Sequence, residues 1–459
     1  MQQITTPLPA SYRDPAGFMF EKDGRLYRQV NEVFQKDFDH FIKSGCYDQL
    51  IEKKLLIPHT EINENLSQIP GYFKTLLPEK IPFISYPYEW SFDMLKDAAL
   101  LTLQIAKEVL PFGLVLKDAT PFNIQWRNAT PVFIDTLSFE KYNPSQPWIA
   151  YRQFCENFLS PLLLMHYYKQ PLQALQLAYP DGIPLQLTKS MLPWKSKFSL
   201  YTYLHIHLHA SIAAKQPVKQ ESSKTAFSEK KFRSLVESLE SLVQTLQWKG
   251  KTSTWENYYQ EATLRDDYLE VKKAIIVEMV DTLSDLHSGA DIGGNEGEFS
   301  MILAQKNIPT ITTDFDHSSI NKLYLKLKKD NTKILPLVMD VSNPSPSIGV
   351  NNEERDSFMQ RARVDICFAL ALVHHLAIGK NIPFEKIAVF FSTITRYLII
   401  EFVPKTDSKI AFMLQQKKDI YINYTEENFI RSFEEKFIVL KKKAIANSGR
   451  TLYLMKKHA

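Results

Sequence analysis

The stretch DIGGNEGEF, residues 291–299, constrains this chain more than any other. An apolar run ends in an acid, two glycines follow, and a third comes after two polar residues. A strand that ends in an acid and turns through glycine opens a βα unit. Glycine at such a turn lets the backbone come close to a ligand at the carboxyl edge of a sheet. Short apolar runs recur downstream at Ala290–Asp291, Thr310–Asp314, Ile334–Asp340, Val364–Leu370 and Tyr397–Phe402, with helical periodicity between them. This alternation predicts a Rossmann-like α/β domain with a doubly wound, mostly parallel sheet.

The loop discriminates between ligands by charge. A phosphate-binding loop of the GxxxxGK type needs a lysine, and Gly297 is followed by Glu298. A dinucleotide fingerprint counted from Gly293 meets Asn295 and Glu298 where glycines are required. Glu296 and Glu298, placed where a helix should start, repel a pyrophosphate. S-adenosylmethionine has no phosphate and carries a sulfonium and an ammonium group. An acid at Asp291 and an open backbone at Gly293, Gly294 and Gly297 suit it. Asp314, ending the next strand, can accept both ribose hydroxyls. Asp340, ending the one after, can accept from the adenine amino group. The plainer alternative is a structural turn followed by strand-end acids that cap helices.

On these residues the sequence resembles class I methyltransferases. DIGGNEGEF is similar to their DxGxGxG motif, with Asn295 at the middle glycine, where asparagine tolerates left-handed backbone angles. ILPLVMDVSNPSPSIG, ALALVHHLAIGKNIPF, LIIEFVPKTD and SGRTLYLM resemble a bacterial family of S-adenosylmethionine-dependent methyltransferases with rhizobial nodulation-associated members. RDPAGFMF, ISYPYEW, LKDATPFNIQ and FIDTLSFE extend the resemblance through the N-terminal half. It implies the fold and the cofactor and leaves the methyl acceptor open: glycan, small molecule or protein.

The acceptor should meet the methyl group beyond the fourth and fifth strands. His374 and His375 follow the fourth, and Glu401 ends the fifth. Each can accept a proton from a hydroxyl or amine, and a catalyst working by alignment alone needs none of them. Trp255, Tyr258, Tyr259 and Tyr268 precede the sheet as an aromatic segment that either closes over the cofactor or packs in the core.

Residues 1–213 form a second, α+β domain, expected to recognise the acceptor or a partner. Residues 214–231 are polar and charged and predict a linker, and 232–459 form the methyltransferase domain with leading helices. In LKDATPFNI and VFIDTLSF, Asp118, Asn123 and Asp135 resemble the catalytic loop and metal-binding acid of kinase-like folds. The pattern departs from that family. It has no glycine-rich loop, Leu116 stands first in the HRD-like triplet, and Thr136 follows Asp135. Phosphoryl transfer by this half is therefore an alternative function, as is a binding protein that holds the cofactor as a structural ligand. HIHLHA places His205, His207 and His209 on one face if it is a strand. No further ligand pattern accompanies them, so no metal site is expected.

The net charge of +4, from 55 basic and 51 acidic residues, gives no nucleic-acid footprint. Three scattered cysteines without a CxxC point to a reducing compartment, and no segment reads as a signal peptide or a membrane span. A cytoplasmic enzyme is expected, and its oligomeric state is not legible.

Overall fold

A computed structural model describes residues 5–213, 227–250, 268–330, 332–415 and 418–458. The chain divides into two compact units, Met1–Lys251 with Ser347–Arg355, and Thr252–Pro346 with Asp356–Ala459.

In the first unit, β1 (Gly17–Lys22), β2 (Arg25–Asn31), β3 (His59–Ile62) and β4 (Tyr72–Pro78) form an antiparallel sheet in the order β1-β2-β4-β3. The helix α1 (Phe92–Val109) is apolar on most of its surface and largely buried, as expected of a central helix. After it come β5 (Leu114–Leu116), β6 (Ile124–Arg127), β7 (Thr130–Phe133) and β8 (Phe139–Lys141), paired as β5-β8 and β6-β7. Ser347–Arg355 completes this unit, where Glu354 accepts from Arg13 at 2.8 Å.

The helix α2 (Glu229–Thr245) corrects the expected boundary at 232. Its stripe Phe232, Val236, Leu239, Leu242 and Val243 is buried, and it packs against α1 within the first unit. Phe232 lies 5.6 Å from the Trp148 ring, and Lys107 reaches Glu240 at 2.6 Å. An exposed amphipathic helix must bury its stripe somewhere, and sequence order alone does not say where. Most of the expected linker, residues 214–226, lies outside the described residues, as do Trp255, Tyr258 and Tyr259.

The second unit begins, among its described residues, with α3 (Tyr268–Asp281). There follow β9 (Gly289–Ile292), α4 (Ser300–Gln305), β10 (Thr310–Asp314), α5 (His317–Asp330), β11 (Ile334–Val338) and β12 (Val364–Ala369). The unit ends with α6 (Phe384–Ile394), β13 (Thr395–Phe402), α7 (Glu426–Glu434), β14 (Phe437–Ala444) and β15 (Thr451–Lys457). Seven strands lie in the order β11-β10-β9-β12-β13-β15-β14. β15 runs antiparallel to both its neighbours, and β9 to β13 run parallel. This is the Rossmann-like, mostly parallel sheet that the alternation predicts, and the antiparallel β15 set between β13 and β14 matches the class I methyltransferase fold that the resemblance implies.

β9 is buried along its whole length, as a parallel strand covered on both faces must be. The chain leaves it towards β10 on one side and places β12 on the other, so its carboxyl end is the topological switch point where open sheets bind ligands. Register puts Asp291 level with Thr312 on β10 and Phe368 on β12.

Beyond β13 an aromatic cluster centres on Phe429 of α7, whose ring lies 4.6–5.6 Å from Phe433, Phe402, Tyr453 and Phe384. We expect Phe429→Ala to cost about 3–5 kcal/mol, as for a large buried aromatic truncation, read from the urea midpoint of the intact chain.

Candidate active site

A cavity of about 260 Å³ opens at the carboxyl ends of β9, β10 and β12. Asp291, Gly293, Gly294, Asn295, Asp314, Asp340 and His375 line it. Seven of the sequence-derived site residues therefore meet in one place.

The turn after β9 forms as the residue types require. Gly293 and Asn295 take positive φ, 77° and 48°, and the left-handed position that a glycine would hold falls to asparagine. Gly294 is needed for a different reason. A Cβ there would lie 2.7 Å from Thr312 Cγ2 and 2.8 Å from Asp291 Oδ2. Gly297 does not line the cavity. Its φ is 77°, and a Cβ would come within 2.8 Å of Leu323 Cδ1, so it serves the close packing of the turn on α5.

Two carboxylates at consecutive strand ends set the electrostatics. Asp291 is buried and accepts from Ser300 Oγ at 2.6 Å, and Thr312 Oγ1 donates to that hydroxyl at 2.7 Å. Burial pushes its pKa up to about 6, against the pull of Ser300 and Lys272. Asp314 accepts the N–H of Asn295 at 3.0 Å and of Asp316 at 2.8 Å, one on each oxygen. Burial again wins, and its pKa is pushed up to about 6. Asp340 sits two residues past β11 and is 42% exposed. It accepts from Ser342 N and Oγ and lies 3.6 Å from Lys380.

Glu296 and Glu298 do not act as sequence order suggests. Both precede α4, and Glu298 pairs with Lys273 at 2.5 Å while Glu296 lies 3.8 Å from Lys322. Their charge is thus partly answered by lysines on the flanking helices.

Glu401 is a correction. It is fully buried and does not line the cavity. It accepts from Lys272 Nζ at 2.5 Å, Tyr268 Oη at 3.1 Å, the Ala371 N–H at 2.8 Å and Arg450 Nη1 at 3.3 Å. Burial alone would raise its pKa, but Lys272 and Arg450 outweigh that and hold it below the ordinary range. A carboxylate so engaged is no general base; it is a buried anchor. His374 is likewise buried and absent from the cavity lining. His375 does line the cavity and opens a π-helical turn, His375–Gly379, a local distortion frequent at functional sites. Burial, then Arg450 and Lys409, lowers its pKa to about 4, so the ring is neutral at neutral pH.

Sequence reasoning missed Lys272 and Ala371. Lys272 lines the cavity beside Asp291, with its ammonium 4.7 Å from the Phe299 ring centroid. The signal was present: Lys272 falls at helical spacing between Tyr268 and Ile276, a charge on an otherwise apolar stripe. Ala371 holds a left-handed φ of 50° with its N–H on Glu401. Such a conformation in a residue with a Cβ persists only where its surroundings impose it.

The residues fit S-adenosylmethionine. The cradle at Gly294 admits no side chain, two buried acids face the cavity, and the ammonium of Lys272 stands at the Asp291 end. A cationic amino-acid head group with a carboxylate matches this pattern, and a pyrophosphate does not.

In the first unit, Asn123 and Asp135 meet at Ser138, and Asp118, which bonds Gln153, lies near enough to Asp135 to feel its charge. Asn123 Nδ2 donates to Ser138 Oγ at 3.3 Å, and Ser138 Oγ donates to Asp135. Asp118 is pushed up by burial and by Asp135. Asp135 pairs with Arg28 at 2.5 Å, so its charge is already answered. His205, His207 and His209 are helical, not extended. His205 bonds Tyr151 and Ser238, His207 bonds Ser196, and His209 stacks on Tyr151. Among the described residues no group of three or more His, Cys, Asp or Glu side chains is arranged to hold a metal ion.

Among known proteins, the nodulation protein NoeA of Rhizobium meliloti strain 1021 is 31% identical over 452 residues, covering 96% of this chain and 94% of NoeA. The chain belongs to the NoeA family. No family model matches it. Several solved structures are also similar. The N-methyltransferase NodS of Bradyrhizobium japonicum WM9 is 11% identical, covering 42% of this chain and 99% of NodS, with a TM-score of 0.32. Magnesium protoporphyrin IX methyltransferase of Synechocystis PCC 6803 is 13% identical, covering 46% and 90%, with a TM-score of 0.31. The bifunctional kinase-methyltransferase WbdD is 16% identical with a TM-score of 0.31, and the match spans under half of each chain, 48% and 46%.

Glu401→Leu leaves Lys272 without its carboxylate partner in the interior, while Arg450 keeps Asp407. We expect it to destabilise the second unit by about 3–5 kcal/mol, the usual penalty for breaking a buried pair. Urea unfolding followed by tyrosine and tryptophan fluorescence measures this, and a loss under 1 kcal/mol contradicts the anchoring role.

Proposed function

We propose that the chain is an S-adenosylmethionine-dependent methyltransferase that methylates an oxygen or nitrogen nucleophile entering beside His375. The observation that carries this reading is the pair of buried acids, Asp291 and Asp314, at the switch point of a class I methyltransferase sheet. Bound there, the cofactor supplies an electrophilic methyl group on sulfonium. Asp291 holds the ammonium of its methionyl end, and Lys272, which keeps N–H donors beyond the one given to Glu401, takes the carboxylate. Asp314 accepts the ribose hydroxyls on its remaining lone pairs. Asp340 and Val341 border the adenine edge, with Met339 and Leu376 as apolar walls.

The neutral His375 ring can accept a hydrogen bond or a proton from the nucleophile. With its pKa lowered to about 4 it is a weak base, so alignment and exclusion of water carry most of the rate. Glu401 takes no proton and keeps Lys272 and the Ala371 loop in place. The three cysteines are buried free thiols, which supports a reducing cytoplasm as the working compartment.

S-adenosylhomocysteine at about 100 times its dissociation constant should stabilise the second unit by about 2.7 kcal/mol, a rise of about 5–10 °C in Tm. Asp291→Asn should abolish most of that rise. An unchanged rise in the variant, or none in the parent chain, overturns the assignment.

The raised acids also set a pH dependence. Their folded pKa values, about 6, lie above the unfolded carboxylate value near 4. Folded protein therefore binds protons more tightly, and the ligand-free chain loses stability as pH rises from 4 to 6. Cofactor binding needs Asp291 ionised and runs the other way. Affinity for S-adenosylhomocysteine should fall about ten-fold per pH unit per proton below pH 6, measured by calorimetry between pH 5 and 7.5.

A further inference from the structure

The segment 194–213 of the first unit is amphipathic with its polarity reversed. A short helical turn, Trp194–Phe198, packs against a helical run of residues 200–213. The polar groups face inward. Ser196, Thr202, His205 and His207 are buried and hydrogen-bonded to Ser199, Tyr151, Ser238 or each other. Apart from the buried Ile206, the large apolar groups face water. Tyr201, Leu204, Leu208 and Ile212 follow at spacings of three and four, one stripe of a helix, and all are exposed. On the preceding turn Trp194 is 72% and Phe198 77% exposed, their rings edge to face at 5.1 Å.

A globular domain does not expose a contiguous stripe of this kind without a use for it. The charge around it says what that use is. Between Asp181 and Glu221 the sequence has no acidic residue and five lysines, at 189, 195, 197, 215 and 219. Lys195 and Lys197 fall between Trp194 and Phe198 in sequence and are exposed, Lys195 lies over the Tyr167 ring, and the pKa of His207 is lowered by burial and then by the charges of Lys197 and Lys189. Exposed tryptophan, tyrosine and phenylalanine interleaved with lysine is the composition of segments that rest in a lipid headgroup layer. The rings sink to the acyl boundary while the lysines meet anionic headgroups. The inward hydrogen bonds hold the ridge in its outward pose, so no refolding is needed to present it.

We propose that the outer face of residues 194–212 is a docking surface for an anionic lipid bilayer. The ridge adds attachment at the surface only, since among the described residues no helix is long and apolar enough to cross a membrane.

The test is co-sedimentation of the full chain with phosphatidylcholine vesicles and with vesicles containing one-quarter phosphatidylglycerol. Binding to the anionic vesicles should exceed binding to the neutral ones at least ten-fold and weaken in 0.5 M NaCl. Trp194→Ser with Phe198→Ser, and separately Lys195→Glu with Lys197→Glu, should each lower the partition coefficient at least ten-fold. Lys195→Arg with Lys197→Arg should bind as the parent does, which separates lost contact from lost fold. Equal binding to both vesicle types, no binding, or aromatic variants that sediment like the parent would overturn the proposal. So would light scattering that shows a dimer dissolved by the aromatic pair, because the ridge would then belong to a second copy of the chain.

Discussion

The second unit depends on a buried ionic cluster. Glu401 at the end of β13 joins Lys272 of α3, the N–H of Ala371 after β12 and Arg450 just before β15, and Arg450 also reaches Asp407 at 2.8 Å. Two cations and two carboxylates lie within it, so its own charges sum to zero. Buried pairs of this kind contribute little net stability over apolar packing, yet removing one member is costly. The cluster therefore acts more as a registration device than as a source of stability. It fixes the helix ahead of the sheet, the loop that walls the cavity and the last crossover in one geometry. Asp291 is not a member of this cluster, and burial outweighs Ser300 and Lys272 to hold the pKa of its carboxyl up.

Much of this was legible in the sequence, and the limits have physical causes. The parallel strands were found within two residues of their ends, because most strands covered on both faces read as apolar runs and β10, TITTD, is β-branched up to its acid. The glycine turn and its acids were legible because positive φ and close approach demand particular residue types. Glu401 was misread because sequence shows that an acid ends a strand and not which way it faces. The anchor and a catalytic base look alike until the partners, 129 and 49 positions away in the chain, are seen. Lys272 was missed for the same reason, although its place on an apolar stripe was a usable sign.

The first unit was harder to read. Its sheet is antiparallel, and its helices bury their stripes on partners far along the chain, as α2 does on α1. The spacing does bring Asn123 and Asp135 together on Ser138, with Asp118 close enough to Asp135 to feel its charge. Arg28 from β2, which the spacing cannot reveal, answers the charge of Asp135. Local spacing thus reported proximity faithfully and chemistry poorly.

The place of β15 has a consequence for how the second unit comes into being. It follows every other strand of the sheet in chain order, yet it lies between β13 and β14. During synthesis the earlier strands emerge with a gap where β15 belongs, and β14 has no neighbour to pair with until the ribosome has delivered it. Arg450, the residue that closes the ionic cluster, arrives at the same moment. The ionic cluster that holds Lys272 and the Ala371 loop is thus completed by nearly the last residues of the sheet to be translated, and a nascent chain stalled before them would carry the whole glycine turn without that cluster closed.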